Sequence, residues 1–292
     1  MPFFKGWLSF SMLCDKIKEL LTATEDWVHV VTLDDRMALR HVPSNRFLTL
    51  QRKIVGNCPG VQFILSSAFN LDNHSPSGTI KAVFAPIYYH SNSTRANEFF
   101  NLYVNNPSVY QFPVTLWADR RGFLFAIQNP YTYSDGVSFG VFVNVEYIPL
   151  VHREYNDGLE GFFMLVIRND QATGTTTNGG LGTIHYFARD LAIESQYKHW
   201  EAHERGAIKS WGSGIGYFEF PTYYNDIERR TVSAITKRWF FADGVSLPDN
   251  YVIRWQDRQV TRKFIVVRVQ ATNPTVGFNV AIPYSNAYDY PV

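Results

Sequence analysis

One pattern occurs twice in this chain of 292 residues, and it constrains the fold more than any other feature. Each copy has an aromatic residue, Ala-Asp, a basic pair, an apolar run, a turn, a second run that contains Gly, and a Pro. The first copy lies within residues 116–149 and the second within residues 239–284. Because internal repetition determines architecture, the two copies predict a duplicated unit that is rich in β-strands.

The composition also favours β-structure. Phe, Tyr and Trp together make up 16% of the chain, whereas charged residues make up only 18%. Aromatic and β-branched side chains suit pleated, half-buried surfaces. They are also enriched at the centres of protein interfaces. The aromatic content therefore fits a large β core and a contact surface equally well.

The beginning of the chain predicts a helix. Apolar residues between Leu8 and Leu21 recur every three or four positions, which is the spacing of one helix face. Ser9 or Ser11 is available as the N-cap, and charged residues occupy the other face. We therefore predict an N-terminal amphipathic helix within a helical segment of residues 1–26.

After this segment, apolar runs bounded by Gly, Pro, Asn or Ser predict strand after strand, including one over residues 99–104. The fold is therefore predicted to be mainly β, with two related β-sandwich-like halves. The halves comprise residues 27–150 and 159–292, and the segment 151–158 is the predicted boundary between them. A short helix is predicted near residues 189–205, in the second half.

The charge pattern disfavours nucleic acid as a partner. The net charge is +1 at pH 7, and no run of like charges exceeds a few residues. A protein that binds nucleic acid through its phosphates needs a wide basic surface. The sequence also lacks a signal-peptide pattern and any apolar run near ~18 residues, so we expect no membrane association.

The two cysteines, Cys14 and Cys58, could form one disulfide. Cys14 falls on the apolar side of the predicted helix, where it is expected to be buried. We therefore favour reduced thiols, in keeping with synthesis in the cytoplasm.

The patterns that could support catalysis are all incomplete. His199 and His203 are four residues apart and would share one helix face, which is a spacing that can bind a metal ion. No third ligand accompanies these two weak candidates, and a solvated helix face explains them equally. The glycines at 212, 214 and 216 lack the strand–helix frame of a dinucleotide-binding loop. We therefore predict no enzymatic activity, no metal and no cofactor.

The strongest local charge lies in the first repeat copy, at Arg120 and Arg121. These arginines could reach carboxylates on a partner, because the guanidinium fork matches carboxylate geometry. They could instead stay in water beside a hairpin turn in which Asp119 accepts backbone N–H bonds. The turn is the favoured interpretation for Asp119, and both interpretations remain open for the arginines. The other predicted interface residues are Arg262, Lys263, Tyr284, Tyr288 and Tyr290.

Several motifs follow one another from the start of the chain to its end. They are Phe3-Phe4-Lys5-Gly6, the Leu-rich segment 13–22, Trp27, the run Asn97–Leu102, Trp117-Ala118-Asp119-Arg120-Arg121, Phe241-Ala242-Asp243-Gly244, Gly277-Phe278 and Ile282-Pro283-Tyr284. In this order they resemble the signature of a family of virion structural proteins of tailed bacteriophages and prophages. In that family the run that resembles Asn97–Leu102 is a strand. The chain departs from the family in having Asp where both Ala-Asn-Gly segments have Asn.

The resemblance implies a non-enzymatic part of the virion, in the tail or the baseplate, that is made in the host cytoplasm. The implied partners are other tail or baseplate proteins, and ring symmetry is expected for a homo-oligomer of this kind. A second hypothesis is a carbohydrate- or receptor-binding module of the tail, since many aromatics on a β scaffold suit that function also. The direction in which the Trp and Tyr side chains point distinguishes the two.

Overall fold

The computed structural model shows a protein built mostly from strands, with a helix near the N-terminus, as predicted. The predicted boundary at 151–158 and the predicted helix near 189–205 lie outside the residues that the structure describes. The described residues are 2–104, 110–129, 136–147, 162–168, 184–187, 208–211, 215–218, 222–226, 231–236, 238–242, 249–257, 260–270 and 277–284.

The elements are numbered in chain order. They are β1 (Phe3–Leu8), α1 (Phe10–Thr22), β2 (Trp27–Thr32), β3 (Arg36–His41), β4 (Arg46–Val55), β5 (Cys58–Asn70), β6 (Ser75–Pro86), β7 (Tyr88–Tyr89), α2 (Ser93–Phe99), a π-helical turn (Phe100–Val104), β8 (Phe112–Asp119), β9 (Gly122–Ile127), β10 (Val137–Ser138), β11 (Val141–Tyr147), β12 (Phe162–Arg168), β13 (Ile184–Phe187), β14 (Ile208–Trp211), β15 (Ile215–Phe218), β16 (Thr222–Asp226), β17 (Thr231–Thr236), β18 (Phe240–Ala242), β19 (Val252–Asp257), β20 (Val260–Gln270) and β21 (Gly277–Pro283).

The described strands form three larger sheets. The central sheet has six strands in the order β1-β8-β9-β11-β12-β13. A five-stranded sheet has the order β2-β3-β4-β5-β6, and a four-stranded sheet has the order β18-β21-β20-β19. The remaining described strands pair two by two, as β7 with β10, β14 with β15 and β16 with β17.

Helix α1 confirms the sequence prediction. Ser9 is its N-cap, and the Ser9 hydroxyl accepts a hydrogen bond from the backbone N–H of Met12 at 3.2 Å. One face of the helix is buried, and Phe10 packs edge-on against Phe112 of β8 with ring centroids 5.6 Å apart. The helix therefore covers one side of the central sheet. The buried residues of α1 are Phe10, Leu13, Cys14, Ile17, Leu20 and Leu21.

The central sheet is buried on both faces. Side chains of a strand alternate between faces, and in β11 the residues Val141, Val143 and Val145 belong to the core shared with α1 and the five-stranded sheet. The alternate residue Phe142 points the other way and packs against Trp239, beside the four-stranded sheet, at 4.7 Å between ring centroids. The three larger sheets are therefore stacked as layers, with the six-stranded sheet in the middle.

The strand predicted over residues 99–104 is wrong, because this part of the chain is helical. The Asn92 side chain accepts a hydrogen bond from the N–H of Thr94 at 2.8 Å and so caps α2. Phe99 stacks on Tyr88 with ring centroids 4.1 Å apart. The capping residue and this packing prevail over the strand preference of the aromatic residues.

Residues 3–8, which the sequence placed in a helical segment, form a strand of the central sheet. Strand β1 pairs with β8 in an unbroken antiparallel register that runs from Phe3 opposite Trp117 to Leu8 opposite Phe112. The central sheet also continues past the predicted boundary, because β12 and β13 extend it beyond β11.

The two copies of the repeated pattern arrange their strands in different orders. In the first copy β8 pairs with β9, and β9 pairs with β11. In the second copy β18 pairs with β21, and β21 pairs with β20. The first strand of the first copy therefore lies beside the second strand of that copy. The first strand of the second copy lies instead beside the last strand of its own copy.

Candidate assembly interface

The turn between β8 and β9 is organised by Asp119. Its Oδ1 accepts hydrogen bonds from the backbone N–H of Arg121 at 2.9 Å and of Gly122 at 3.2 Å. This is the function that the sequence favoured for Asp119. Gly122 has φ +150°, and a Cβ at this position would lie 2.1 Å from the carbonyl oxygen of Val145. The turn therefore requires glycine at residue 122.

Four charged residues meet beside this turn, and we call them the ionic cluster: Asp119, Arg121, Glu146 and Arg238. Arg121 Nε lies 3.3 Å from Asp119 Oδ2, and its Nη1 lies 3.7 Å from Glu146 Oε1. Arg238 Nη2 lies 3.2 Å from Asp119 Oδ1, and its Nη1 lies 3.6 Å from Glu146 Oε2. Two guanidinium groups thus neutralise two carboxylates inside the protein, which offsets the cost of taking these charges out of water.

Contacts of Arg238 and its neighbour connect the central sheet to the segment that enters the four-stranded sheet. Its guanidinium lies 5.1 Å from the ring centroid of Trp117 in β8, within cation–π range. Its Nη1 donates a hydrogen bond to the carbonyl oxygen of Val145 in β11 at 3.4 Å. The next residue, Trp239, packs on Phe142 of β11. The segment that enters β18 is therefore attached to the central sheet by charge, hydrogen bond and ring packing together.

The structure separates the predicted interface residues into two groups. Arg262 is buried in this chain and Arg121 is mostly buried, with 7% of Arg262 and 11% of the Arg121 side chain exposed. For Arg121 the reason is that its carboxylate partners belong to the same chain. The exposed members are Arg120, Lys263 and Tyr284. The predicted residues that lie outside the described part of the chain are Tyr288, Tyr290, His199 and His203.

Titratable groups outside the ionic cluster form no metal site among the described residues. Within the described residues, no three His, Cys, Asp or Glu side chains are grouped so as to hold a metal ion. Neither cysteine is in a disulfide, and burial raises the pKa of the Cys14 thiol to about 12. None of the helices in the described ranges has the length and apolar character needed to cross a bilayer.

The outer side of β1 is an edge of the central sheet. The N–H of Ala118 in β8 donates to the carbonyl oxygen of Pro2 at 2.8 Å, and the register of the two strands is unbroken. Backbone groups point alternately to one side and the other along an antiparallel strand. Those of Phe4, Gly6 and Leu8 therefore face β8, and those of residues 3, 5 and 7 point outward.

We call this feature the β1 edge, meaning the outward backbone N–H and C=O groups of Phe3, Lys5 and Trp7. No other strand of the described residues pairs with it. The Lys5 side chain is exposed, and 53% of Trp7 is exposed. At the start of the strand, Phe3 packs edge-on against Tyr284 with ring centroids 5.0 Å apart.

The sequence reasoning did not select Lys5 or Trp7. A signal was present, because Phe3, Lys5 and Trp7 alternate with Phe4, Gly6 and Leu8 in the way that a strand requires. The run is short and directly precedes a strong helical pattern. Its partner strand lies more than a hundred residues along the chain, at 112–119, so local pattern alone could not show the pairing.

No model of a protein family matches the sequence, and no curated protein is significantly similar to it. The function of the chain is therefore inferred from its geometry and from its motifs.

Proposed function

We propose that this chain is a structural subunit of a tailed-phage virion, in the tail or the baseplate, and that it acts by assembling with neighbouring subunits. The observation that carries this proposal is the β1 edge, which combines outward backbone groups with the half-exposed ring of Trp7. An edge strand with unpaired groups is a template for a strand from another chain. The motif resemblance supplies the virion context.

The ionic cluster supports a role in assembly rather than turnover. Its two carboxylates and two guanidinium groups are directed at one another, and Asp119, Glu146 and Arg238 are each at most 1% exposed. Charges buried in this way hold the layers in a defined position. A fold whose layers are held in place while the β1 edge faces outward is suited to repeated packing against neighbours.

The tryptophans favour assembly over the carbohydrate-binding hypothesis. A glycan platform needs several aromatic rings that face solvent. Among the four tryptophans whose side chains the structure describes, Trp27, Trp117 and Trp239 are fully buried in the chain's own core. Trp7 is the exposed one, and it lies on a sheet edge. Much of the aromatic content therefore builds the core.

The proposal is tested on purified particles of a phage or induced prophage that encodes the chain. Particles are separated on a density gradient, and the chain is quantified by mass spectrometry against known tail proteins. We expect a constant ratio to those proteins across the particle peak, and a ring-shaped oligomer in electron micrographs of dissociated tails. A chain that is absent from the particles and strictly monomeric at every concentration would contradict the proposal.

A further inference from the structure

We infer that the β1 edge binds an extended segment of a different protein, with an acidic residue opposite Lys5 and apolar residues opposite Phe3 and Trp7. This inference deepens the proposed function, on which its biological context rests. It names the chemistry of the partner and excludes a second copy of this chain as the preferred occupant.

The β1 edge is regular along its length. The register between β1 and β8 has no bulge over residues 3–8. By contrast, β2, the edge strand of the five-stranded sheet, has a register shift between His29 and Val31. Bulges of this kind protect edge strands from added partners. The β1 edge lacks that protection and offers a straight row of donors and acceptors.

A partner strand on the β1 edge would meet the side chains on one face of β1. Directly opposed residues in an antiparallel pair share a face, so Phe3, Lys5 and Trp7 lie on the same face as Trp117. A strand that uses the outward backbone groups places three alternate residues beside these side chains. Complementary neighbours are an apolar residue, a carboxylate and a second apolar residue, because opposite charges and aromatic pairs stabilise cross-strand contacts.

The charge of Lys5 disfavours a second copy of this chain as the occupant. A symmetric antiparallel pair of two β1 strands uses all the outward positions in only one register, with Phe3 opposite Trp7 and Lys5 opposite its own copy. Both Lys5 side chains are exposed cations, and like charges directly opposite each other destabilise a sheet. Lysine on an edge thus acts against self-association, while it attracts a strand with a carboxylate at the matching position.

The test measures backbone amide exchange by NMR on the full chain, with and without the peptide Ser-Val-Thr-Glu-Thr-Phe-Ser. Its alternate residues supply the apolar, acidic and apolar neighbours. We expect the amides of Lys5 and Trp7 to exchange quickly in the isolated protein and slowly in the complex. A matched peptide with Lys in place of Glu is expected to bind about fivefold more weakly.

Two variants test the backbone and the charge of residue 5. Lys5→Pro removes an outward N–H together with the Lys5 charge, without removing a hydrogen bond to β8, so folding persists and peptide binding is lost. Lys5→Glu keeps the N–H and reverses the charge. This variant is therefore expected to bind the Lys peptide better than the Glu peptide. Equal binding of the Glu peptide to wild type and Lys5→Pro would overturn the inference.

Two other occupants give different results in the same experiment. If the isolated protein already protects these amides and removal of residues 285–292 exposes them, the chain's own C-terminus is the occupant and the inference is wrong. If protection rises with protein concentration alone, a second copy is the occupant and the inference is equally wrong.

Incorporation into virus particles distinguishes a failure of the inference from a failure of the proposed function. Wild-type chain and Lys5→Pro are each supplied to a phage that lacks its own copy. If both are incorporated equally, the chain is a virion subunit but the β1 edge is not its binding site. If the wild-type chain is not incorporated, the proposed function fails, whatever the peptide measurements show.

Discussion

Arg238 Nη2 lies 3.2 Å from Asp119 Oδ1, and this ion pair joins the segment that enters β18 to the end of β8 in another sheet. Both side chains are buried. Nη1 of the same guanidinium lies 3.6 Å from Oε2 of Glu146. One arginine thus contacts carboxylates from two neighbouring parts of the central sheet. This ion pair is one of several contacts that attach the four-stranded layer to the central sheet, beside the packing of Trp239 on Phe142.

Replacement of this arginine is expected to destabilise the fold strongly. Arg238→Met keeps most of the side-chain volume but leaves Asp119 and Glu146 buried with one guanidinium between them. We expect a loss of about 3–5 kcal/mol in the free energy of unfolding, which is the cost of removing one partner of a buried pair. Urea unfolding measures it. The control is Arg120→Ala at an exposed position of the same turn, which is expected to change stability by less than about 0.5 kcal/mol. Equal effects of the two substitutions would show that the cluster is not a stabilising contact.

Any side chain at residue 122 is expected to destabilise the turn between β8 and β9. A Cβ there would meet the Val145 carbonyl oxygen at 2.1 Å, and the backbone has φ +150°. Gly122→Ala is therefore expected to cost about 3 kcal/mol or more in thermal or urea unfolding. Gly56 is a matched control, because it has φ +61° with nothing within 4 Å of the added Cβ. Gly56→Ala is expected to cost only about 1 kcal/mol, and a reversed order of the two losses would contradict the described turn.

The stability of the protein is expected to fall in mild acid because of His41. Burial lowers the pKa of His41 to about 4, although a backbone hydrogen bond with Arg120 acts in the opposite direction. The ring lies among the aromatic rings of Trp27, Tyr147 and Phe162. Between about pH 6.5 and pH 4 the unfolded chain binds a proton that the folded chain does not. The free energy of unfolding therefore decreases as the pH falls through this window, by at most about 3 kcal/mol.

The measurement compares wild type with His41→Phe at several pH values, so that the contributions of other titrating groups cancel. The stability difference between the two proteins is expected to shift in favour of the variant as the pH falls from about 7 to about 4.5. A difference that stays constant across this range would show that His41 titrates normally in the fold.

The two thiols are expected to differ in reactivity. Cys14 is buried in α1, and its pKa is raised to about 12, whereas Cys58 at the start of β5 is only half-buried. A thiolate is the reactive form. In a Cys58→Ser variant, N-ethylmaleimide is therefore expected to label Cys14 about a thousandfold more slowly than a normal exposed thiol. Denaturant should restore ordinary labelling, and rapid labelling of the native variant would contradict the packing of α1.

The sequence predicted some local features of the fold and missed the long-range ones. The apolar spacing predicted α1 with Ser9 or Ser11 as its N-cap, and residue types predicted the Asp119 turn, although the helix α2 was not predicted. These features depend on neighbours within four residues. The pairing of β1 with β8 depends on residues over a hundred positions apart, so no local period reveals it.

The buried arginines illustrate the same limit in the candidate site. Arginine is almost never fully buried unless it is paired, so sequence reasoning places Arg121 and Arg262 at the surface by default. Arg121 is mostly buried because Asp119 and Glu146 converge on it, and Arg238 joins them from another part of the chain. Only the folded chain shows that these four charges form one group.

The central claim is that the chain assembles into a virion through the β1 edge. The most direct measurement is zero-length carbodiimide cross-linking of purified particles, followed by mass spectrometry of the peptide that contains Lys5. The account predicts a cross-link from Lys5 to an Asp or Glu of a different virion protein. A chain absent from the particles, or a Lys5 that links only to copies of this chain, would contradict it.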